Sequence, residues 1–211
     1  MEITASKVKE LRDRSGAPMM DCKAALVESE GDLDGAHKIL RQRGQATAAR
    51  RSAKATSEGA VGSYIHAGGR IGVLVEVNCE TDFVARTADF QGLVKDLAMH
   101  IAASEPRFVD RDEVTEAVLR EEKEIYRQQA RATGKPDAVV EKIVAGKMEK
   151  FYQEFCLMEQ PFVRDPNLSV REVVASVIAK CGENIRVKRF ARFVLGQDEA
   201  GRAKGAGNAS R

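Results

Sequence analysis

At Val61 the apolar residues of this chain switch from helical spacing to a spacing of two, over one short stretch. Val61, Ser63 and Ile65 fall on one face of a first strand, and Ile71, Val73, Val75 and Val77 make an unbroken apolar face on a second. Between them, Ala67-Gly68-Gly69-Arg70 offers glycine for the positive φ of a hairpin turn. An isolated hairpin is marginal in water, so it requires a further strand and a cover. Ile185, Val187, Phe190 and Phe193 supply that strand, and the slip in alternation near Arg189 predicts a bulge. The expected class is α+β, with a small antiparallel sheet flanked by helices.

Helical period dominates elsewhere. Thr4 is placed to cap a first helix carrying Val8 and Leu11, which Ser15-Gly16 ends. Pro18 opens a second, with Met19, Cys22, Ala25 and Leu26 on one stripe before Gly31. Asp32 caps a third, with Leu33, Ala36, Ile39 and Leu40 aligned and Gly44 as its stop. Helices this short do not hold alone, so residues 1–45 are expected to form a three-helix domain. Residues 46–58 lose the period and read as a linker. Its basic residues Arg50, Arg51 and Lys54 read as a solvated tether in preference to an RNA-binding stripe, because no aromatic interleaves them.

Residues 59–197 are then the α+β core. Phe90, Leu93, Val94, Leu97 and Ile101 predict a helix from Thr87 to just before Glu105-Pro106. A helical hairpin is expected over 112–158, its second arm opened by Pro136 and lined by Val140, Ile143, Val144, Met148, Phe151, Phe155 and Met158. Pro161 and Pro166 break the chain ahead of the capping box Ser169-Val-Arg-Glu172, which launches a helix ending at Gly182. Residues 198–211 hold no large apolar side chain and read as a disordered tail.

The chemistry in this sequence is sparse. Cys22, Cys79, Cys156 and Cys181 lie far apart and read as small buried hydrophobes, and His37, His66 and His100 are scattered, so neither a metal site nor a cofactor is expected. No nucleophile, zinc-protease, P-loop or dinucleotide-binding motif is present, so no catalytic residue is assigned and an enzyme is not expected. The 34 basic and 32 acidic residues leave a formal net charge of +2, which argues against direct nucleic-acid binding by bulk charge. No stretch reaches the ~18 uninterrupted apolar residues of a membrane span. The start, Met-Glu-Ile-Thr, also lacks a signal-like region, so the expectation is a soluble cytoplasmic protein with no membrane partner.

The most informative segment follows the second strand: Asn78-Cys79-Glu80-Thr81-Asp82-Phe83-Val84-Ala85-Arg86. Periodicity leaves two readings open. Thr81 or Asp82 caps a short helix that holds Phe83 against the core, or Phe83 is an exposed wedge at the tip of a rigid hairpin, aimed at another protein.

Thr81-Asp82-Phe83-Val84-Ala85-Arg86, preceded by Glu76-Val77-Asn78-Cys79, closely resembles the signature of the translation elongation factor Ts family. So do Ile3-Thr4-Ala5 through Val8-Lys9-Glu10-Leu11, and Met19-Met20-Asp21-Cys22-Lys23-Ala24-Ala25-Leu26. Arg70-Ile71-Gly72-Val73-Leu74-Val75, Met99-His100-Ile101-Ala102-Ala103-Ser104 and Gln160-Pro161-Phe162-Val163 extend the resemblance in the same order.

The resemblance implies a ubiquitin-associated-like N-terminal bundle, an α+β core with a helical hairpin, and a guanine nucleotide exchange factor for elongation factor Tu, needing no cofactor. It implies that Asp82 and Phe83 touch the GTPase and disturb its magnesium site, with Thr81 and Val84 shaping the loop. Lys23 matches a position facing the same domain, and Ile71, Gly72 and His100 match positions toward the partner's other domains; for His100 a partly buried helix histidine is the equal alternative. Only one copy of the core is present, which resembles the short form of the family and implies a homodimer, with Cys181 a candidate at its interface.

Overall fold

The computed structural model describes residues 3–197; the tail expected from Asp198 onward lies outside them. Three helices open the chain. Helix α1 (Ala5–Ser15) starts where the Thr4 hydroxyl accepts the Lys7 N–H at 3.4 Å, and ends where Gly16, at φ 64°, donates its N–H to Arg12. Helix α2 (Met19–Glu28) follows Pro18. Helix α3 (Leu33–Arg51) is capped by the Asp32 carboxylate, which accepts the Asp34 and Gly35 N–H groups at 3.2 and 3.0 Å. Val8, Leu11, Cys22, Ala25, Leu26 and Ala36 form their common core.

Gly44 does not stop α3. The helix runs on to Arg51, so residues 46–51 of the expected linker are helical. Loss of an apolar stripe is not loss of helix propensity, and this stretch is rich in Ala, Gln and Arg. Gly44 is instead a packed position within the helix: a side chain there would begin in ordinary van der Waals contact, 3.7 Å from the Ala175 carbonyl. Arg41 and Gln45 fasten the same stretch of α3 to Glu172, at 2.5 and 3.1 Å.

The sheet follows, with β1 (Glu58–Ile65) and β2 (Ile71–Cys79) joined by a turn in which Gly68 and Gly69 take φ values of 87° and 68°. The sheet order is β1-β2-β5, where β5 is Ile185–Val194. Val73, Val75, Val77 and Cys79 are buried from β2, and Ile185 and Val187 from β5. Helix α4 (Asp82–Ala85) is a single turn, and α5 (Ala88–Ser104) buries Phe90, Leu93, Val94, Leu97 and Ile101 as its spacing predicts.

Helices α6 (Glu116–Arg131) and α7 (Asp137–Phe155) form the expected hairpin around Ala130, Val140, Val144, Met148 and Phe151. Arg127 ties the two arms at the surface, at 2.8 Å from Glu141. Met158 lies beyond α7, because Cys156 turns extended and bridges to Phe108. Pro161 and Pro166, read as chain breakers, belong to a two-stranded ribbon, β3 (Pro161–Phe162) with β4 (Asp165–Ser169). Proline is compatible with strands at the first position and at edges, where its missing N–H costs no ladder bond. Helix α8 (Val170–Cys181) then leads into β5. The class is α+β, helices with a small antiparallel sheet.

Two compact units interleave along the chain. One holds the described residues up to Gly62, Glu76–Asp96 and Arg171–Lys188. The other holds Ser63–Val75, Leu97–Val170 and the described residues from Arg189.

Candidate functional site

In the first unit, β2 ends at Cys79 and the chain enters α4 through Glu80 and Thr81. Thr81 is extended, at φ −130° and ψ 156°, and its Oγ1 accepts the Val84 N–H at 3.4 Å, the geometry of a helix N-cap. A single turn of helix has no stability of its own, so its neighbours must hold it. Val84 and Ala85 are buried beneath it. The Thr87 hydroxyl donates to the Val84 carbonyl at 2.8 Å, and the Gln91 amide donates to the Ala85 carbonyl at 2.7 Å. From behind, the Cys79 thiol donates to the Thr81 carbonyl at 3.1 Å. Burial, followed by the nearby Glu183 carboxylate, raises the Cys79 pKa, so the thiol keeps its proton and serves as a donor.

Anchoring Val84 inward turns the preceding side chain outward. Phe83 is 78% exposed, the most exposed large hydrophobic residue among those described. Asp82 beside it pairs with Arg86 at 2.7 Å across one helical turn, an exposed pair worth little to stability. The structure thus resolves the two readings of Phe83: the helix turn is capped by Thr81, and its ring faces solvent. Such an arrangement can insert an apolar ring into a cleft, but it assembles no nucleophile or acid–base pair. Among the described residues no group of three or more His, Cys, Asp and Glu side chains is placed to hold a metal ion.

Lys23 is exposed on α2 in the same unit, next to the exposed apolar side chains of Met19 and Met20. Ile71 and Gly72 lie in the second unit, half-buried at the start of β2. His100, also in the second unit, is fully buried. Its Nδ1 accepts the Val163 N–H at 3.1 Å, which leaves Nε2–H to donate to Gln160 Oε1 at 2.9 Å, and its ring stacks on Phe162. This geometry agrees with the alternative of a buried helix histidine, since both ring nitrogens bond within the chain.

His100 carries a testable consequence. Burial lowers its pKa below the ordinary histidine value. As pH falls, the unfolded chain therefore takes up a proton that the folded chain refuses. Stability from neutral His100 is complete above the unfolded value of about 6.5 and declines as pH drops through it toward the lower folded value. His100→Gln is expected to flatten the loss of thermal midpoint between pH 7 and pH 5; equal slopes in both proteins would refute this.

Cys22, Cys79 and Cys156 are buried, and Cys181 is half-buried at the end of α8. Burial pushes the Cys156 thiol up to about 12. Sequence reasoning missed Glu183, whose two carboxylate oxygens accept the Thr81 N–H at 3.0 Å and the Thr81 hydroxyl at 2.8 Å. Its only local signal, Gly182-Glu183-Asn184, reads as a helix stop.

Comparison with known proteins bears on the same segment. The family model described as elongation factor TS matches residues 19–197. Curated proteins named elongation factor Ts align over nearly the whole chain. That of Koribacter versatilis is 60% identical over 93% of this chain and 90% of its own length. That of Geobacter sulfurreducens is 58% identical over 93% and 91%, and that of Moorella thermoacetica 58% over 92% and 96%. Together with a fold that presents the Thr81–Val84 segment at the end of a strand, these matches show that the chain belongs to the elongation factor Ts family of translation elongation.

Proposed function

We propose that this chain is a guanine nucleotide exchange factor that acts in the cytoplasm on elongation factor Tu. The observation that carries this reading is Phe83, a large apolar ring held 78% exposed on an anchored turn in a chain of this family. Phe83 enters the GTPase beside its magnesium and phosphate site, with Asp82 at the rim, while Thr81 and Val84 fix the turn. GDP leaves because the factor binds the nucleotide-free form more tightly than the GDP form. A factor with equal affinity for both would shift nothing. The factor makes and breaks no covalent bond, and needs no cofactor of its own.

Weakening nucleotide affinity by ~10⁴ requires ~5.5 kcal/mol of differential binding. Burying one phenylalanine supplies ~1.5–3 kcal/mol, so further surface must contribute. Lys23 with Met19 and Met20 on α2 is one such surface, and Ile71 with Gly72 at the start of β2 is another. His100, buried with both ring nitrogens bonded inside the chain, is not among the proposed contacts. The test is release of fluorescent GDP from elongation factor Tu under excess unlabelled nucleotide. Release accelerated at substoichiometric factor is expected; an unchanged rate would refute the proposal.

The factor acts as a homodimer, and its second unit supplies the face. The guanidinium of Arg192 donates to the Ala102 carbonyl of α5, so its neighbour Phe193 points away from that helix and is 59% exposed. Ile65 Cδ1 lies 3.1 Å from where a Gly72 side chain would begin, which puts Ile65, Gly72 and Leu74 on one face of the hairpin. Ile65 and Leu74 are 67% and 47% exposed. Exposed apolar residues gathered on one sheet face mark an interaction surface. No feature of Cys181 ties it to this face.

A further inference from the structure

The exposed ring of Phe83 is only as useful as the turn beneath it, and one carboxylate organises that turn. Among the described residues, Glu183 is the ionised group that hydrogen-bonds to Thr81, through both its oxygens. A hydroxyl has a single hydrogen. Committing the Thr81 hydrogen to Glu183 Oε1 leaves the oxygen's lone pairs for the Val84 N–H, so Glu183 orients the cap as well as restraining the backbone. Bonds to an ionised acceptor are about twice as strong as neutral ones, and the other side chains that bond the backbone of this turn are a thiol, a hydroxyl and an amide.

The link runs in both directions. Glu80 Oε1 accepts the Asn184 N–H at 2.6 Å, so Glu80-Thr81 and Glu183-Asn184 exchange side-chain-to-backbone bonds across the two segments. Asn184, itself buried, donates its amide to the Ser52 and Lys54 carbonyls at 3.4 and 2.8 Å, and Arg51 reaches Glu80 at 3.5 Å. The turn that carries Phe83 is thereby braced against the start of β5 and the end of α3.

We infer that Glu183 is a positioning residue for exchange: it holds the Thr81–Val84 turn in the orientation that presents Phe83 and acts on the GTPase only through that ring. The inference rests on the exchange reading above, and its tests separate the two. The first readout needs no partner. In Glu183→Gln, which keeps the side chain's volume but turns an NH₂ toward a donor, amide hydrogen exchange at Thr81 and Val84 is expected to rise about tenfold or more, the effect of losing bonds to a charged acceptor, while Leu97 in α5 stays unchanged. Unchanged protection at Thr81 would overturn the inference whatever the protein's function.

The second readout is GDP release as a function of factor concentration. Glu183→Ala is expected to lower the saturating rate about tenfold, with Glu183→Gln between it and the native protein and the half-saturating concentration changed less than about threefold in both. The double variant with Phe83→Ala should release GDP no more slowly than Phe83→Ala alone, because the turn then has no ring to present. Multiplying losses in the double variant, or a native saturating rate in Glu183→Ala while Phe83→Ala is impaired, would overturn it. Native release by Phe83→Ala would refute the exchange role of the ring instead. Both single variants keep the hydrophobic core intact, and Glu183→Gln carries both readouts on its own if the alanine variant folds poorly.

Discussion

Phe83→Ala is expected to reduce the saturating rate of GDP release from elongation factor Tu by about 10- to 100-fold, the rate equivalent of the ~1.5–3 kcal/mol that burying the ring supplies. The thermal midpoint should stay within about a degree of the native protein. At 78% exposure the ring contributes almost nothing to the folded chain, so its removal leaves no cavity. That pairing of outcomes is diagnostic. A phenylalanine that served the core would show the opposite pattern, a stability loss of ~3–5 kcal/mol with native exchange in the fraction that remained folded. The half-saturating concentration should rise less than the rate falls, because α2 and the start of β2 still make their contacts. If the saturating rate is undiminished, the wedge is not Phe83, and Asp82 or Lys23 must be tested in its place.

How far the sequence disclosed this arrangement depends on the range of the interactions involved. The hairpin was legible because its signals are local: alternation over a few residues and two glycines that reach φ values of 87° and 68°. Helices α5 and α7 were legible for the same reason, each carrying several turns of consistent spacing. The end of α3 was not. Its last turns carry no apolar stripe, and what holds them, Glu172 on Gln45 and Asn184 on the Ser52 carbonyl, lies about 130 residues away in the chain. The ribbon of β3 and β4 hid behind two prolines, since two-residue pairing leaves no periodicity to read.

The site divides along the same line. Thr81 as a cap follows from its own neighbours. The exposure of Phe83 could not be read from period, because a four-residue helix contains barely one turn and both its faces satisfy the pattern. The anchoring of Val84 and Ala85 decides it, and that depends on what is buried below. Glu183 was invisible because its bonds to Thr81 span 102 residues. His100 stayed open for a related reason: a histidine on an otherwise apolar helix is compatible with both a surface role and a satisfied interior one, and its bonds to Val163 and Gln160, some 60 residues on, are what make it interior.

Leu74→Glu tests the other half of the proposed assembly. The native protein is expected to sediment as a dimer at micromolar concentration, and the variant as a monomer, its dimer dissociation constant raised more than about 100-fold. The size of the effect follows from symmetry. A two-fold interface presents the same patch from both chains, so one substitution removes two leucines and places two carboxylates in the interface. Half-burial of each leucine forgoes ~1 kcal/mol, and burying an unpaired carboxylate from each chain costs several more. In the monomer the change is mild, because Leu74 is already 47% exposed while Val73 and Val75 on either side carry the buried face of β2. A fall in thermal midpoint is therefore expected only to the extent that dimerisation itself stabilises the native chain, and it should vanish on dilution. A monomeric native protein at tens of micromolar, or a Leu74→Glu variant that still dimerises, would remove this sheet face from the assembly. Retention of full exchange by a monomeric variant would separate pairing of the chains from the action of Phe83.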